Sequence, residues 1–145
     1  EHKKNNIKQT INTLLQHQVI PIINENDSVS TEEIQFGDND QLSAILAANL
    51  NANELIILTN TDGVLNKDQT VIPRLNQITA KELELVDQTK SSPYSKGGMQ
   101  SKLMAAKIAI DANINVTIAN GRTENIIHKI QSGEPIGTKI RYTKN

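Results

Sequence analysis

Short apolar runs, separated by segments with helical periodicity, constrain the fold of this chain more than any other feature. Residues 19–23, 55–58 and 116–119 are each four or five residues long and rich in aliphatic side chains. Because they are nearly continuous rather than alternating, they are typical of strands buried on both faces of a parallel sheet. Strands that alternate with helices indicate an α/β fold with helices on both faces of the sheet.

Periodicity and turn residues predict the remaining elements. Helices are expected over residues 3–17, 38–51, 80–87, 98–113 and 124–130. Besides the three apolar runs, strands are expected at residues 71–72, as a short edge strand, and 137–141. The prediction is one three-layer αβα domain over residues 1–145, with a mostly parallel sheet.

Composition argues against several classes of function. The formal net charge is −1, so no overall positive field attracts nucleic acid or an anionic membrane. The chain has no cysteine, which excludes disulfides and thiolate zinc sites. No apolar stretch has the length of a bilayer span, and the first six residues lack the apolar segment of a signal peptide. We therefore expect a cytoplasmic protein without nucleic-acid or membrane partners.

A polar segment from Asn24 to Asp27 follows the first predicted strand. In the simpler interpretation it is a loop whose side chains bond to nearby backbone. Crowded acceptor oxygens repel one another unless a positive group lies among them, so an ammonium-bearing ligand is the alternative. Oxygen ligands also suit magnesium or calcium, but the spacing does not follow the calcium-loop pattern. No metal site in the protein itself is predicted.

Residues 37–41 open the second predicted helix with the sequence Gly-Asp-Asn-Asp-Gln. A helix cap at Asp38, with Gln41 completing a capping box, explains much of this string. One cap needs one residue, however, whereas Asp38, Asn39 and Asp40 all carry acidic or amide groups. A second interpretation therefore stays open, in which these side chains bind a ligand ammonium or orient a lysine.

A glycine-bearing segment opens the helix at 98–113: Lys96-Gly97-Gly98-Met99-Gln100-Ser101-Lys102. Lysines near a helix N-terminus are unfavourable by a few tenths to about 1 kcal/mol. A bound anion reverses this effect, and Gly97 and Gly98 leave room for it to approach the backbone amides. The spacing is not that of the Walker A motif. The alternative is a flexible loop with a solvated lysine at each end.

A third polar segment follows the end of a predicted strand, the position at which open α/β sheets bind ligands. Residues 59–63, Thr-Asn-Thr-Asp-Gly, come directly after the strand at 55–58. By itself this string is a common turn. Its position beyond a strand keeps Thr59 and Asn60 among the candidates for ligand contact.

Taken together, the strings Asn24-Glu25-Asn26-Asp27, Gly37-Asp38-Asn39-Asp40 and Gly97 to Lys102 resemble the amino acid kinase family. The resemblance covers almost the whole chain, and the pairing of the first two strings resembles the branch that phosphorylates L-glutamate. It implies transfer of the γ-phosphoryl group of ATP to the γ-carboxylate of L-glutamate, the first step of proline biosynthesis. It also implies Mg²⁺ held mainly by the nucleotide phosphates.

The same resemblance implies residue roles. Lys102 would stabilise charge on the transferring phosphoryl group, and Asp40 would orient catalytic lysines. Glutamate would be bound by Asn24, Asp27, Asp38 and Asn39. The nucleotide would be bound by Thr59, Asn60, Lys96, Gly97, Gly98, Met99, Gln100, Ser101 and Lys102. The family often has Asp at position 60 and usually Thr at position 96, so Asn60 and Lys96 are departures expected to alter nucleotide contacts.

Compared with the family pattern, the chain begins partway through the domain, without the opening strand, its glycine-rich loop and a second catalytic lysine. We therefore expect a fold that is incomplete at the N-terminus and a polypeptide that is inactive alone while keeping most of the nucleotide-binding chemistry. The complete enzyme is expected to be a homo-oligomer. The alternative is a non-catalytic module of the same fold that senses a nucleotide or an amino acid.

Overall fold

The structure is a computed structural model that describes residues 2–24, 39–80, 82–83 and 98–141. Predictions for four site residues lie outside these ranges: Asp27, Asp38, Lys96 and Gly97. Most of the helix predicted at 80–87 lies outside them as well.

Within these ranges the helices are α1 (His2–Gln16), α2 (Asn39–Leu50), α3 (Met99–Asp111) and α4 (Ile126–Gln131). The strands are β1 (Glu54–Thr59), β2 (Arg74–Leu75), β3 (Asn115–Asn120) and β4 (Thr138–Ile140). A further helical segment begins at Ala80. There the carboxylate of Glu82 accepts from the backbone N–H of Thr79 at 2.8 Å and from its hydroxyl, the geometry of a helix-start capping box.

The four strands form one sheet in the order β1-β3-β4-β2. β1 and β3 are parallel, in a register that runs from Glu54 opposite Asn115 to Thr59 opposite Asn120. β2 and β4 are also parallel, whereas β3 and β4 are antiparallel. The predicted mostly parallel sheet flanked by helices is therefore confirmed.

Helices cover both faces of this sheet. On one face, α2 and α3 pack over alternate strand residues such as Leu55, Ile57 and Ile118. The two helices meet through small side chains, because their buried positions include Ala44 and Ala47 of α2 and Ala105, Ala106 and Ala109 of α3. Small contact residues allow a short distance between helix axes. On the other face, α4 packs Ile126 and Ile130 against Ala119 and Ile56.

The predicted strand at residues 19–23 is wrong. Residues 19–24 have no regular secondary structure, and the side chains of Ile20 and Ile22 are 85% and 94% exposed. An apolar run becomes a strand only where a neighbouring strand accepts its backbone hydrogen bonds. In the described part of the chain, β1 is an edge strand that pairs with β3 alone. Pro21 also lacks the N–H that a ladder requires.

Two other elements are shifted from their predicted positions. The short strand expected at 71–72 lies at Arg74–Leu75, while Val71 forms only an isolated antiparallel bridge with Leu65. α4 begins at Ile126 rather than at 124, because Asn125 has a left-handed φ of 56° and cannot continue a helix. No helix in the described ranges has the length and apolar character needed to cross a membrane.

Candidate functional site

The first turns of α2 and α3 lie at the same edge of the sheet. α2 is followed by β1 and α3 by β3 after short connections, so each helix runs antiparallel to the strand that follows it. Both helices therefore begin near the carboxyl ends of β1 and β3, which end together at Thr59 and Asn120. This is the edge where open α/β sheets bind ligands. The topology thus places the described candidates from three separate segments of the chain on one side of the molecule.

An ion pair joins the two helix starts. Lys102 Nζ lies 2.7 Å from Asp40 Oδ2, and the side chains are only 15% and 18% exposed. Asp40 lies in the first turn of α2, where a carboxylate is favoured by the helix dipole, and its backbone carbonyl accepts from the Ser43 hydroxyl at 2.7 Å. A lysine ammonium has three N–H donors, and the contact with Asp40 uses one. Lys102 can therefore be held by Asp40 and still donate to a ligand.

The start of α3 combines a positive end with open space. No acidic residue lies in the first turn of α3, and no side chain of the described residues caps the helix at Gly98. A Cβ atom placed on Gly98 would have no neighbour within 4 Å in the part of the chain that the structure describes. Amides at a helix start carry partial positive charge, and Lys102 adds a full charge one turn further along. Met99, Gln100 and Ser101 lie between these two features, so this end of α3 has the electrostatics of an anion site.

Asn24 and Asn39 are brought together beside the ion pair. The carboxamide of Asn39 donates from Nδ2 to Oδ1 of Asn24 at 3.1 Å, which ties the segment after residue 23 to the first residue of α2. Asn39 precedes Asp40 directly, so three of the predicted site residues lie in one short stretch of surface. Whether these side chains bind glutamate remains a prediction.

The turn after β1 is attached to the turn after β3. Gly121 N–H donates to the Thr59 carbonyl at 2.8 Å, and Asn120 Nδ2 donates to Asp62 Oδ1 at 2.8 Å. Thr59 and Asn60, the predicted nucleotide contacts, lie where β1 ends and this turn begins, and their side chains are joined by a long contact of 3.4 Å. The sequence analysis did not select Asp62, which stands in an ordinary turn, or Asn120, which is the last residue of β3. The signal that could have found Asn120 is its position directly after a predicted strand.

The turn after β1 is also held in place by its contact with β4, through a buried threonine and a glycine. Thr138, fully buried on β4, accepts from the Val64 N–H at 2.8 Å and donates to the Ile72 carbonyl at 2.6 Å. Gly63 packs so closely here that an added Cβ would lie 2.7 Å from Thr138 Oγ1. The Thr61 hydroxyl donates to the Gly63 carbonyl at 3.1 Å. The backbone that leads out of β1 is therefore fixed by contacts from the neighbouring part of the sheet.

The described residues include no group of three or more His, Cys, Asp or Glu side chains that could hold a metal ion together. The carboxylate of Asp40 is engaged by Lys102. Among the described residues, this edge of the sheet offers an ammonium group, carboxamides, hydroxyls, helix-start amides and the hydrogen-bonded carboxylates of Asp40 and Asp62.

The mostly parallel sheet is flanked by helices, and α2 and α3 begin at the carboxyl ends of β1 and β3. This arrangement places the protein in the α/β class. Residues 1–120 match the amino acid kinase family, and the chain belongs to that family. It is 41% identical over 140 residues to glutamate 5-kinase from Hydrogenovibrio crunogenus, a match that covers 93% of this chain and 37% of that enzyme. It is 43% identical over 148 residues to glutamate 5-kinase from Clostridium perfringens, covering 95% of this chain and 55% of that enzyme.

The fold is also similar to that of a solved structure. N-acetylglutamate synthase from Neisseria gonorrhoeae matches with a TM-score of 0.57 and 25% sequence identity. That match covers 73% of this chain and 24% of the synthase chain. The chain thus spans only part of the length of each of these relatives.

Proposed function

We propose that this chain supplies the nucleotide side, and part of the glutamate side, of a kinase that phosphorylates the γ-carboxylate of L-glutamate with ATP. The observation that carries the proposal is the ion pair between Lys102 and Asp40, which sets an ammonium group beside the N-terminus of α3 at the ligand-binding edge of the sheet. The similarity to glutamate 5-kinases from two bacteria supports L-glutamate as the proposed acceptor. The proposed setting is cytoplasmic proline biosynthesis.

In the proposed reaction, an oxygen of the glutamate γ-carboxylate attacks the γ-phosphorus of ATP. The bond from that phosphorus to the β,γ-bridging oxygen breaks, giving glutamyl 5-phosphate and ADP. Because negative charge is spread over the transferring group, catalysis depends mainly on positioning and electrostatic stabilisation. Lys102 is proposed to donate both to the transferring phosphoryl group and to the β-phosphate, which becomes the terminal phosphate of ADP, and Asp40 is proposed to keep the lysine in position.

The phosphates are proposed to lie against the start of α3. The open space at Gly98 lets a phosphate oxygen approach the backbone, and the neighbouring amides and Lys102 provide complementary charge. Thr59, the last residue of β1, and Asn60, which follows it, are proposed to contact the rest of the nucleotide. When bound, Mg²⁺ would neutralise phosphate charge, with its ligands mainly phosphate oxygens, because the Asp40 carboxylate is paired with Lys102.

On the acceptor side, Asn24 and Asn39 are proposed to bind glutamate. Their mutual hydrogen bond places two carboxamides beside Asp40, and carboxamides both donate to carboxylates and accept from ammonium groups. Asp27 and Asp38 are proposed to complete this part of the pocket.

The test is isothermal titration of the 145-residue chain with ADP and Mg²⁺, in the wild type and in two matched lysine variants. Lys102→Ala should weaken binding about 10- to 100-fold, the range expected for loss of a hydrogen bond between charged groups. Lys107→Ala is the control, because it removes the same charge from the same helix. Lys107 pairs instead with Asp111 at 2.9 Å, on an exposed face. The affinity of the Lys107→Ala variant for ADP should stay close to that of the wild type.

Failure of the wild-type chain to bind ADP, or equal losses in the two lysine variants, would contradict the proposal. Turnover is measured separately, because the chain spans 37% of the H. crunogenus enzyme. We propose that residues 1–145 alone bind nucleotide without glutamate-dependent ADP release. Steady release by the purified chain would show that this second statement is wrong and leave the binding assignment intact.

A further inference from the structure

The Asn120 carboxamide links the turns that follow the two parallel strands of the site. Its Nδ2 donates to Asp62 Oδ1 at 2.8 Å, and its Oδ1 accepts from the backbone N–H of Arg122 at 3.0 Å. Asp62 belongs to the turn after β1, and Arg122 to the turn after β3. One side chain therefore uses both of its hydrogen-bonding ends to connect segments that are distant along the chain.

The two bonds require opposite chemistry at position 120. An ionised carboxylate such as that of Asp62 only accepts hydrogen bonds, and a backbone N–H such as that of Arg122 only donates. The residue between them must donate on one side and accept on the other. A carboxamide does this, whereas a carboxylate, a hydrocarbon or an ammonium group does not. The neighbouring bond from Gly121 N–H to the Thr59 carbonyl, at 2.8 Å, adds a backbone link between the same two turns.

From these contacts we infer that Asn120 is a positioning residue, which holds the turn from Thr59 to Asp62 in the conformation that binds nucleotide. The inference rests on the proposed function, because Thr59 and Asn60 are the proposed nucleotide contacts. Asn120 itself need not touch the ligand. It acts through Asp62, whose carboxylate is the anchor point of the turn.

The experiment exchanges the donor and the acceptor. Asn120→Asp keeps the acceptor for Arg122 but sets a second carboxylate against Asp62, so the turn is pushed away. The double variant Asn120→Asp/Asp62→Asn restores one donor and one acceptor, with the carboxamide now on the other side. Asp62→Asn alone completes the double-mutant cycle. In all four proteins, ADP binding with Mg²⁺ is measured by calorimetry and folding by thermal unfolding.

Asn66→Ala serves as the matched control for a loosened turn. Asn66 Oδ1 accepts from the N–H groups of Asp68 and Thr70, both at 2.9 Å, in the same excursion between β1 and β2. Like the substitution at Asn120, this one alters an asparagine side chain that makes two hydrogen bonds. Neither bond of Asn66, however, joins the turn after β1 to the turn after β3. The affinity of the Asn66→Ala variant for ADP should stay within about twofold of the wild type.

We expect Asn120→Asp to lose about tenfold in ADP affinity while remaining folded, and the double variant to recover most of that loss. Wild-type affinity in Asn120→Asp would overturn the inference and leave the proposed function intact. An unrecovered loss in the double variant, or an equal loss in Asn66→Ala, would also overturn it. Absence of ADP binding by the wild-type chain would overturn the proposed function, and this inference with it.

Discussion

At the scale of single residues, two ion pairs of the described chain have the same chemistry in different surroundings. Lys102 and Asp40 join two helices, and their side chains are 15% and 18% exposed. Lys107 and Asp111 lie one turn apart on α3, with 47% and 63% exposure. Exposed pairs are screened by water and contribute little to stability. Removing one member of a mostly buried pair leaves the other charge poorly solvated and unpaired.

We therefore predict different costs for the same substitution at the two acidic residues. Asp40→Asn should lower the free energy of unfolding by about 1–3 kcal/mol, between the values for exposed and fully buried pairs. Asp111→Asn should change it by less than about 0.5 kcal/mol. Urea denaturation of both variants measures the difference. Equal costs would mean that the Lys102–Asp40 pair is effectively a surface contact.

The residue scale also shows where sequence reasoning is sufficient. Asp40 and Lys102 could be selected because each stands near the start of a predicted helix, where charge has a local meaning. The contact between Asp62 and Asn120 could not be predicted, because it depends on the register that sets Thr59 opposite Asn120. A register between parallel strands is a property of the whole sheet and is not encoded in either turn alone.

At the scale of helices and strands, a glycine stands directly before α3 and another directly before β4, and the surroundings of the two differ. Gly98 starts α3 with an ordinary φ of −59°, and no described residue lies within 4 Å of the place its Cβ would occupy. Gly137 precedes β4 with a φ of +72°, and a Cβ there would lie 2.5 Å from the Ile118 carbonyl oxygen. Gly137 is required by the docking of β4 onto β3. The described part of the fold gives no steric reason for glycine at position 98, which agrees with a ligand that needs the space.

Alanine at each glycine should separate these two roles. Gly137→Ala should lower the free energy of unfolding by about 2 kcal/mol or more, because the new methyl group meets backbone and φ is left-handed. Gly98→Ala should leave stability unchanged or raise it by up to about 1 kcal/mol, while weakening ADP binding. Denaturation and calorimetry on the same samples give both quantities. Unchanged ADP affinity in a stable Gly98→Ala protein would argue against phosphate at the start of α3.

The accuracy of the predicted elements follows the range of the interactions that form them. The helices at 3–17, 38–51 and 98–113 were predicted to within about two residues, because their hydrogen bonds are local. The strand at 19–23 was wrong although its composition is ideal for a strand, because no partner pairs with it in the described ranges. The strand expected at 71–72, before Pro73, lies after it as β2. Its position also depends on a non-local interaction, because pairing with β4 decides where β2 lies.

At the scale of the whole molecule, the site depends on a core that is built almost without aromatic residues. Aromatics make up 2% of the chain, and the main core cluster of the described residues is built from aliphatic side chains, many of them alanines. Alanines at the contact between α2 and α3 let the helices approach, and this approach brings Asp40 within 2.7 Å of Lys102. The α/β class could be predicted from the alternation of apolar runs and helices. The distance between the two helix starts could not, because it is set by packing across several elements.

The division between core and surface gives a last prediction, on two isoleucines that sequence patterns treat alike. Ile118, in β3, is fully buried between the strands and the helices, whereas Ile22 is 94% exposed. Ile118→Ala should lower the free energy of unfolding by about 2–5 kcal/mol, because it removes buried methylene groups and leaves a cavity. Ile22→Ala should change it by less than about 0.5 kcal/mol, since little surface is buried there. Urea denaturation at low protein concentration measures both. A cost for Ile22→Ala approaching that for Ile118→Ala would show that residues 19–23 pack into the folded chain as a buried strand, and the assignment of this segment as exposed and irregular would then be wrong.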